Sequence, residues 1–331
     1  MALEAQGTPR ILVVRRDNIG DLVCTTPLID ALRARHPGAH LAALVTTYNA
    51  AVLARNPALD AVHVYEKLKH RSGSFLANVR ARLRLYSRLR AERLDCVLVP
   101  APAPRSLRLA RSLKPKQVIA AAAAPSGTRH EVERTFALGA ALGVEGAPGP
   151  MRVYPEARLQ AQLRERLGAG PWVAVHISAR RPAQRWPLER YAGLIEALAR
   201  EARVMLLWAP GAKDDARHPG DDEAAAQLLE AARAAAPVAV PTPELATLIA
   251  ALSLAERVVC PDGGAMHLAA ALAKPVVALF GDSPPERWRP WGVPHRVVRP
   301  ESRNVADLSV SAVLDAYAQL ARESGDKQQR R

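Results

Sequence analysis

The stretch ILVVRRDNIGDLVCTTP, residues 11–27, decides how the first half of the chain folds. Four consecutive apolar residues lead into a polar loop with one glycine, and a Thr-Thr-Pro sequence then begins a helix. Strand, tight loop and helix in this order are typical of nucleotide-binding α/β proteins. The loop nevertheless lacks G-x-G-x-x-G and G-x-x-x-x-G-K-[ST], the sequences that cradle phosphate in many such proteins. It carries instead a carboxylate, Asp21, where a phosphate-binding loop would avoid one.

Length and composition predict two domains and no membrane-spanning helix. The chain has 331 residues, 49% of them apolar, which is enough for two domains of about 150 residues each. It contains no uncharged apolar run of about 18 residues, and MALEAQGTPR at the start lacks the apolar core of a signal peptide. The three cysteines are scattered without metal-ligand spacing, which indicates a reducing compartment. We therefore expect a cytoplasmic protein.

The formal net charge of +14 favours acidic partners, namely nucleic acid, an anionic membrane surface or a phosphorylated substrate. An arginine-rich and alanine-rich composition bias explains much of the same charge. Nucleic acid is disfavoured because the chain has no recognised nucleic-acid-binding module and only 4% aromatic residues to stack on bases. We therefore expect no nucleic-acid partner.

Apolar runs alternate with helical patterns along the chain, as in parallel sheets with crossover helices. The segment 143–157 interrupts the alternation with three glycines and three prolines, so we interpret it as an interdomain linker. We predict an N-terminal domain over 1–150, a C-terminal domain over 151–322 and a disordered tail over 323–331. Predicted strands are 11–14, 40–45, 61–65, 96–100 and 117–121 in the first half, and 172–178, 204–210, 238–240, 257–260 and 276–280 in the second. Predicted helices are 25–36, 188–201, 223–236, 243–255, 264–273 and 305–322.

The stretch PDGGAMHLAAALAKPVVALFG, 261–281, predicts a diphosphate site at a helix start. Asp262 follows a strand, and Gly263 and Gly264 allow a ligand to approach the backbone. The free N–H groups and the dipole at the helix start suit a diphosphate, and His267 lies one turn further along. The alternative is an Asp N-cap followed by a core histidine.

The stretch HISARRPAQRWP, 176–187, places Ser178, Arg180, Arg181 and Arg185 after another strand. Guanidinium groups bind phosphate oxygens in a forked geometry, so these side chains are candidates for the donor diphosphate. The alternative is a solvated arginine loop.

A third strand ends in WAPGAKDDARH, 208–218, whose turn at Pro210 could wrap a nucleoside with Lys213 or Asp214 near a ribose. No Asp-x-Asp motif occurs in the chain, so a metal-bridged diphosphate is not indicated and we predict no metal ligand.

Parallel sheets bind ligands at the carboxyl ends of their strands, and two such sheets would face each other across a cleft. Across the cleft from a phosphate site, Asp21 could accept a proton from an attacking hydroxyl, since a general base must lie within hydrogen-bond reach of that proton. The alternative is that Asp21 caps the helix that follows it.

Three stretches together resemble a known family: RRDNIGDLVCTTPLIDALRARHPGAHLAALV, HISARRPAQRWPLERYAGLIEAL and CPDGGAMHLAAALAKPVVALFGDSPPERWRPWG. They look like the N-terminal and the two C-terminal signatures of the bacterial heptosyltransferases, glycosyltransferase family nine, in the right order and over nearly the whole chain. The resemblance implies an α/β protein of the GT-B fold, with two Rossmann-like domains around a central cleft. It also implies an inverting transferase that moves a heptose from ADP-heptose to a lipopolysaccharide inner-core acceptor, with the nucleotide sugar as substrate and no cofactor.

The resemblance assigns roles to individual positions. Asp21 matches the proposed catalytic base of the family's Gly-Asp pair, with Gly20 as its glycine and Asn18 in the same acceptor-side loop. Ser178 and Arg180 fall in the phosphate-contacting stretch. The Asp, Gly and His of the family's D-[ST]-G-x-x-H loop correspond to Asp262, Gly264 and His267.

Two positions depart from the family pattern. Gln184 stands where a lysine is usual, so Arg181 or Arg185 would have to supply the charge. Gly263 stands where Thr or Ser is usual, and one hydroxyl is lost. These departures leave open another ADP-, UDP- or GDP-sugar donor, or a degenerate member that binds the donor without transfer.

The segment 67–93 carries nine Lys or Arg and a single acid, Glu92. A helix here would place Arg80, Arg84 and Arg88 on one face, while another face takes Leu76, Val79, Leu83, Tyr86 and Leu89. The pattern favours a surface for the anionic acceptor or for the cytoplasmic face of the inner membrane. The alternative is a core-facing helix with a solvated arginine face.

Overall fold

The computed structural model describes residues 8–65, 75–122, 129–213 and 220–329. The chain divides into two compact units, Met1–Tyr154 and Pro155–Arg331. The division lies within the predicted linker 143–157, which has no helix or strand until residue 157. Its glycines and prolines explain this, because proline lacks a backbone donor and glycine loses the most entropy when ordered.

The N-terminal unit is built on five parallel strands in the order β3-β2-β1-β4-β5. The sheet order reverses between β1 and β4, so their carboxyl ends form the switch point at which such sheets bind ligands. The strands are β1 Arg10–Val14, β2 His40–Thr46, β3 Ala61–Tyr65, β4 Cys96–Val99 and β5 Gln117–Ala120.

The four apolar residues of the opening stretch, 11–14, are each at most 1% exposed. This burial on both faces is expected of a central parallel strand and explains the unbroken apolar run. Leu12 and Val14 pack in one core cluster with Leu89 from the helix that covers this face.

The helix predicted over 25–36 is confirmed as a helix over Thr26–Arg35, and a short helix over Ile19–Val23, which was not predicted, precedes it. Pro27 has no N–H to continue the first helix, and the Thr26 hydroxyl donates to the Val23 carbonyl at 2.8 Å instead. The helices are α1 Ile19–Val23, α2 Thr26–Arg35, α3 Phe75–Ala91, α4 Pro104–Ser112 and α5 Glu131–Phe136.

The C-terminal unit has six parallel strands in the order β11-β10-β9-β6-β7-β8, with its switch point between β6 and β9. The last strand was not predicted, because its side chains are only half-buried and its sequence HRVV is half polar. The strands are β6 Trp172–His176, β7 Arg203–Trp208, β8 Val238–Pro241, β9 Arg257–Pro261, β10 Val276–Leu279 and β11 His295–Val298.

The final helix covers most of the tail that was predicted to be disordered over 323–331. Leu320 is fully buried, and Glu323 pairs with Arg296 of β11, so this helix is anchored to the sheet beyond the predicted end at 322. Residues 330–331 lie outside the described residues. The helices are α6 Ala157–Leu167, α7 Leu188–Leu198, α8 Asp222–Ala231, α9 Leu245–Leu254, α10 Gly264–Ala271, α11 Pro285–Trp288 and α12 Val310–Gln329. In the described part of the chain, none of the helices has an apolar run long enough to cross a bilayer.

Candidate active site

The loop after β1 is organised by one buried arginine. The Arg15 side chain is 2% exposed, and its Nη2 lies 2.7 Å from Asp21 Oδ1 and 2.8 Å from Glu131 Oε1. Its Nε lies 3.0 Å from Asp17 Oδ1. A buried charge is tolerated when it is paired and hydrogen-bonded, so this single cation gathers three carboxylates at the carboxyl end of the central strand.

Asp21 is held at both of its carboxylate oxygens. Arg15 occupies Oδ1, and the Asn18 amide donates to Oδ2 at 2.9 Å. The Asp21 side chain is 13% exposed, so it still reaches solvent. The alternative that Asp21 caps the following helix is wrong, since Thr25 is the N-cap residue of α2 and Asp21 lies within the first turn of α1, with Gly20 buried beside it.

The charges gathered in this loop change the pKa of Arg15 and the pKa of Asp17. Burial alone would lower the pKa of Arg15, but the charges of Asp17, Asp21 and Glu131 raise it instead. Burial raises the pKa of Asp17 to about 6, with the Asp21 charge adding to that rise and Arg15 opposing it. The loop thus contains a permanently charged guanidinium and one carboxyl that takes up a proton more readily than usual.

The predicted phosphate-binding side chains after β6 are placed in different ways. The Ser178 hydroxyl oxygen accepts from the backbone N–H of Ala209 at 2.8 Å, which ties this loop to the turn after β7. Arg180 is exposed. Arg181 Nη1 lies 3.0 Å from Asp282 and Nη2 donates to Ser283, whereas Arg185 pairs with Asp221 at 2.8 Å.

Gln184, the first departure from the family pattern, contacts the predicted diphosphate loop directly. Its Nε2 donates to Asp262 Oδ2 at 2.8 Å and to Ser283 Oγ at 3.3 Å. Burial raises the pKa of Asp262, while Ser283, Arg181 and Gln184 lower it. Two arginines were expected to supply the charge of the missing lysine. Arg181 lowers the pKa of Asp262, whereas Arg185 is paired with Asp221.

The start of α10 is open above its glycines. Gly263 is the N-cap residue with no side-chain cap bond, so the alternative that Asp262 caps this helix is wrong. A Cβ added at Gly263 would meet no atom within 4 Å. The N–H groups that begin at Gly264 are therefore sterically accessible to an anion. His267 is 3% exposed, and its ring packs edge-on against Trp288 with centroids 6.0 Å apart.

The predicted nucleoside turn lies beside Arg185. Both Lys213 and Arg185 line a cavity of about 370 Å³, together with Trp186 and Asp221. Pro210 is half-buried in this turn, and Lys213 is exposed. Asp214 lies outside the described residues.

Sequence reasoning missed the groups that position the predicted side chains. Glu131 lies 116 residues from Arg15, and Ser283 lies 99 residues from Gln184, so neither has a local signal. Asp221, which pairs with Arg185, had a weak signal as the first acid before α8. Among the described residues no group of three His, Cys, Asp or Glu side chains is arranged to hold a metal ion.

A family model for glycosyltransferase family 9 (heptosyltransferase) matches residues 82–318. Lipopolysaccharide heptosyltransferase 3 of Escherichia coli is 26% identical over 292 residues, 82% of this chain and 83% of that protein. The structure of a family 9 glycosyl transferase from Veillonella parvula matches with a TM-score of 0.82 at 21% identity, over 98% of this chain and 99% of that one.

A second solved structure, E. coli heptosyltransferase WaaC with ADP, matches with a TM-score of 0.78 at 23% identity and covers 94% of this chain and 99% of that chain. These structural matches, together with two parallel-sheet units in one chain, confirm the predicted GT-B fold. The family match extends over more than half of the sequence and includes the Gln184 and Asp262 loops. The chain therefore belongs to glycosyltransferase family 9, the heptosyltransferase family, and is a sugar-transferring enzyme.

Proposed function

We propose that this protein is an inverting glycosyltransferase that moves a heptose from ADP-heptose to an inner-core acceptor of lipopolysaccharide. The observation that supports it most is the fixed, solvent-reaching carboxylate of Asp21 at the end of β1. The E. coli relative described above is, according to its name, a lipopolysaccharide heptosyltransferase. In this proposal the N-terminal domain over 1–150 takes the acceptor, and the C-terminal domain over 151–322 takes the nucleotide sugar.

Asp21 is the proposed general base. It accepts the proton of the acceptor hydroxyl while the oxygen of that hydroxyl bonds to the anomeric carbon from the face opposite the diphosphate. The carbon–oxygen bond to the diphosphate breaks, and the anomeric centre inverts. Arg15 and Asn18 hold the carboxylate in one orientation, which reduces the entropy lost in reaching the transition state. Asn18 and Gly20 belong to the acceptor side of this loop.

The leaving diphosphate carries the developing charge, and we assign its stabilisation to the C-terminal unit. The N–H groups at the start of α10, with Gly263 and Gly264, and the guanidinium groups of Arg180 and Arg181 are the proposed donors. Ser178 contributes its hydroxyl hydrogen, since its oxygen already accepts from Ala209. Asp262 and His267 shape the sugar-side wall of this pocket.

The nucleoside half of the donor is assigned to the cavity beside the turn after β7. Lys213 and Arg185 line that cavity, and Pro210 shapes its turn. We propose ADP as the nucleotide because a solved structure of the same fold contains ADP. The reaction is proposed to need no metal, with cations and backbone N–H groups taking its place at the diphosphate.

The acceptor is an anionic amphiphile in this proposal, so the protein would act in the cytoplasm and contact the inner membrane peripherally. The helix α3 supports this, because Arg80, Arg84 and Arg88 are exposed on it. Part of the basic segment, residues 67–74, lies outside the described residues.

Calorimetric titration of ADP, UDP and GDP into the protein with EDTA present tests the donor assignment. We expect ADP to bind more tightly than UDP and GDP, with no loss of affinity on chelation. Preference for UDP or GDP would reject the ADP-sugar donor while leaving the family intact. Absence of binding by all three would favour a degenerate member, for which the substitutions at Gln184 and Gly263 give a specific reason.

A further inference from the structure

Two arginines of the N-terminal unit that do not pair with Asp21 have a buried nitrogen that lacks a partner in the described part of the chain. Arg16 follows β1, Arg82 lies on α3, and within the described residues the Nε atoms of both are buried without a hydrogen-bond partner. Their guanidinium carbons lie 4.9 and 5.2 Å from the centroid of the Tyr65 ring, at the end of β3. A buried donor without a partner is destabilising, and a bound acceptor would remove that cost.

These two arginines and Arg105 form a cluster of like charge. Burial lowers the pKa of Arg16, and the charges of Arg105 and Arg82 lower it further, against an opposing effect from Tyr65. The described part of the chain provides no carboxylate ion pair for any of the three; Arg16 Nη2 donates only to the Ser106 hydroxyl, at 3.1 Å. This is the reverse of the adjacent Arg15, which has three carboxylates. Arg16 and Arg82 are half-buried and Arg105 is exposed. Neighbouring like charges without carboxylate partners favour an anionic ligand.

An apolar groove of about 400 Å³ begins at the same aromatic ring. Tyr65 and Arg82 belong both to the arginine cluster and to the groove wall. Leu83 is 62% exposed on its rim, and Val79 is 36% exposed. The remaining wall is apolar or aromatic and comes from α3 and α4: Leu85, Tyr86, Leu89 and Leu109.

We propose that Arg16, Arg82 and Arg105 bind the phosphate of a phosphorylated lipid whose hydrocarbon chain lies in this groove. Guanidinium groups pair with phosphate oxygens through two parallel hydrogen bonds, and the adjoining apolar wall suits an acyl chain of the same molecule. The identification of this lipid with the lipid end of the acceptor rests on the proposed function. The binding site itself does not, because it is built from the N-terminal unit alone.

The test is calorimetric titration of the full chain with a short-chain phosphatidic acid below its critical micelle concentration. Phosphatidylcholine of the same chain length and inorganic phosphate are titrated in parallel. We expect phosphatidic acid to bind most tightly, and Arg82→Gln or Arg105→Gln to weaken it about tenfold or more, since each removes charged hydrogen bonds. The matched control Arg108→Gln, exposed on the same α4 helix as Arg105, should change affinity less than about twofold.

A groove variant separates the two halves of the proposed site. Leu83→Asn should weaken phosphatidic acid and leave the weak binding of inorganic phosphate unchanged. Equal losses in Arg105→Gln and Arg108→Gln would overturn the proposal in favour of diffuse charge, and equal affinity for phosphatidylcholine would overturn the phosphate site. A dimer in solution that Leu83→Asn dissociates, without lipid binding, would show that a second copy covers the groove.

Failure of this proposal is distinguishable from failure of the proposed function. Binding of ADP by each variant reports on the C-terminal unit, and the thermal transition of each variant reports on folding. If the wild-type chain binds phosphatidic acid but not ADP, the donor assignment fails and the lipid site stands. If it binds ADP but not phosphatidic acid, the reverse holds.

Discussion

The loop after β1 and the loop after β6 occupy equivalent positions, because in each unit the strand order reverses beside that strand. After β1, three carboxylates surround one buried arginine. After β6, the uncharged amide of Gln184 donates a hydrogen bond to the buried carboxylate of Asp262. The same loop carries Arg181 and Arg185, each of which is paired with another aspartate. Sheet topology therefore places both loops at a switch point, whereas the side chains beyond each strand determine the charge that each loop carries.

The largest effect is expected when the cation that gathers the three carboxylates is removed. Arg15→Met should lower the free energy of unfolding by about 3–5 kcal/mol, because Asp17 and Asp21 lose the buried cation that pairs with them, while Glu131 retains Arg134 at 3.7 Å. Urea denaturation measures this. The matched control is Arg152→Met in the same unit, whose ion pair with Asp30 at 3.7 Å is partly exposed and should contribute about 1 kcal/mol or less. Equal losses in the two variants would mean that Arg15 does not organise the loop.

The second test addresses the amide after β6. Gln184→Ala leaves Asp262 Oδ2 without its donor at 2.8 Å, so we expect ADP affinity to fall about fivefold to tenfold as the loop at the start of α10 loses its position. Gln160→Ala is the matched control, since Gln160 in the same unit makes one bond, to Ser253 at 2.8 Å, away from this loop. Isothermal titration with ADP compares the variants. Unchanged affinity in Gln184→Ala would show that the amide only fills space.

The smallest expected effect concerns the pH dependence of stability in the carboxylate loop. The pKa of Asp17 rises from its ordinary 3.8 to about 6 in the folded protein, so the folded state holds this proton more tightly than the unfolded chain does. Its contribution to stability is therefore present at low pH and is lost as pH rises from about 4 to about 6. Asp17→Asn should reduce that loss, measured by urea denaturation across this range. An identical pH slope in both proteins would contradict the assignment.

The apolar runs predicted the sheets well because central parallel strands are buried on both faces. All ten predicted strands are present, with ends that shift by one or two residues at most. The missed β11 is an edge strand with half-buried side chains, and its sequence therefore carries little apolar signal. The helix predicted over 25–36 is present as α2, and the short α1 before it was not predicted; Pro27 separates the two helices, and the Thr26 hydroxyl bonds to the Val23 carbonyl there.

The candidate site was predictable only as far as the loops that follow strands. Asp21, Ser178 and Asp262 all follow predicted strands, so their location at the carboxyl ends of the sheets could be inferred. Their partners could not be inferred, because hydrogen bonds such as Arg15 to Glu131 join residues more than a hundred positions apart. The sequence shows that Gln184 lacks the positive charge of the lysine that is usual at this position. Its contact with Asp262 could not be inferred from the sequence.

The central claim is that Asp21 removes the acceptor proton while other groups bind the donor. The most direct measurement compares turnover and ADP affinity in Asp21→Asn with those in Asp30→Asn, a substitution on α2 outside the carboxylate loop. We expect Asp21→Asn to lower kcat about 10²-fold to 10⁴-fold, which is the usual contribution of a positioned general base. The Kd for ADP should remain unchanged. Asp30→Asn should leave both quantities unchanged. Full turnover in Asp21→Asn, or a loss of ADP binding that accounts for the lost activity, would contradict the account.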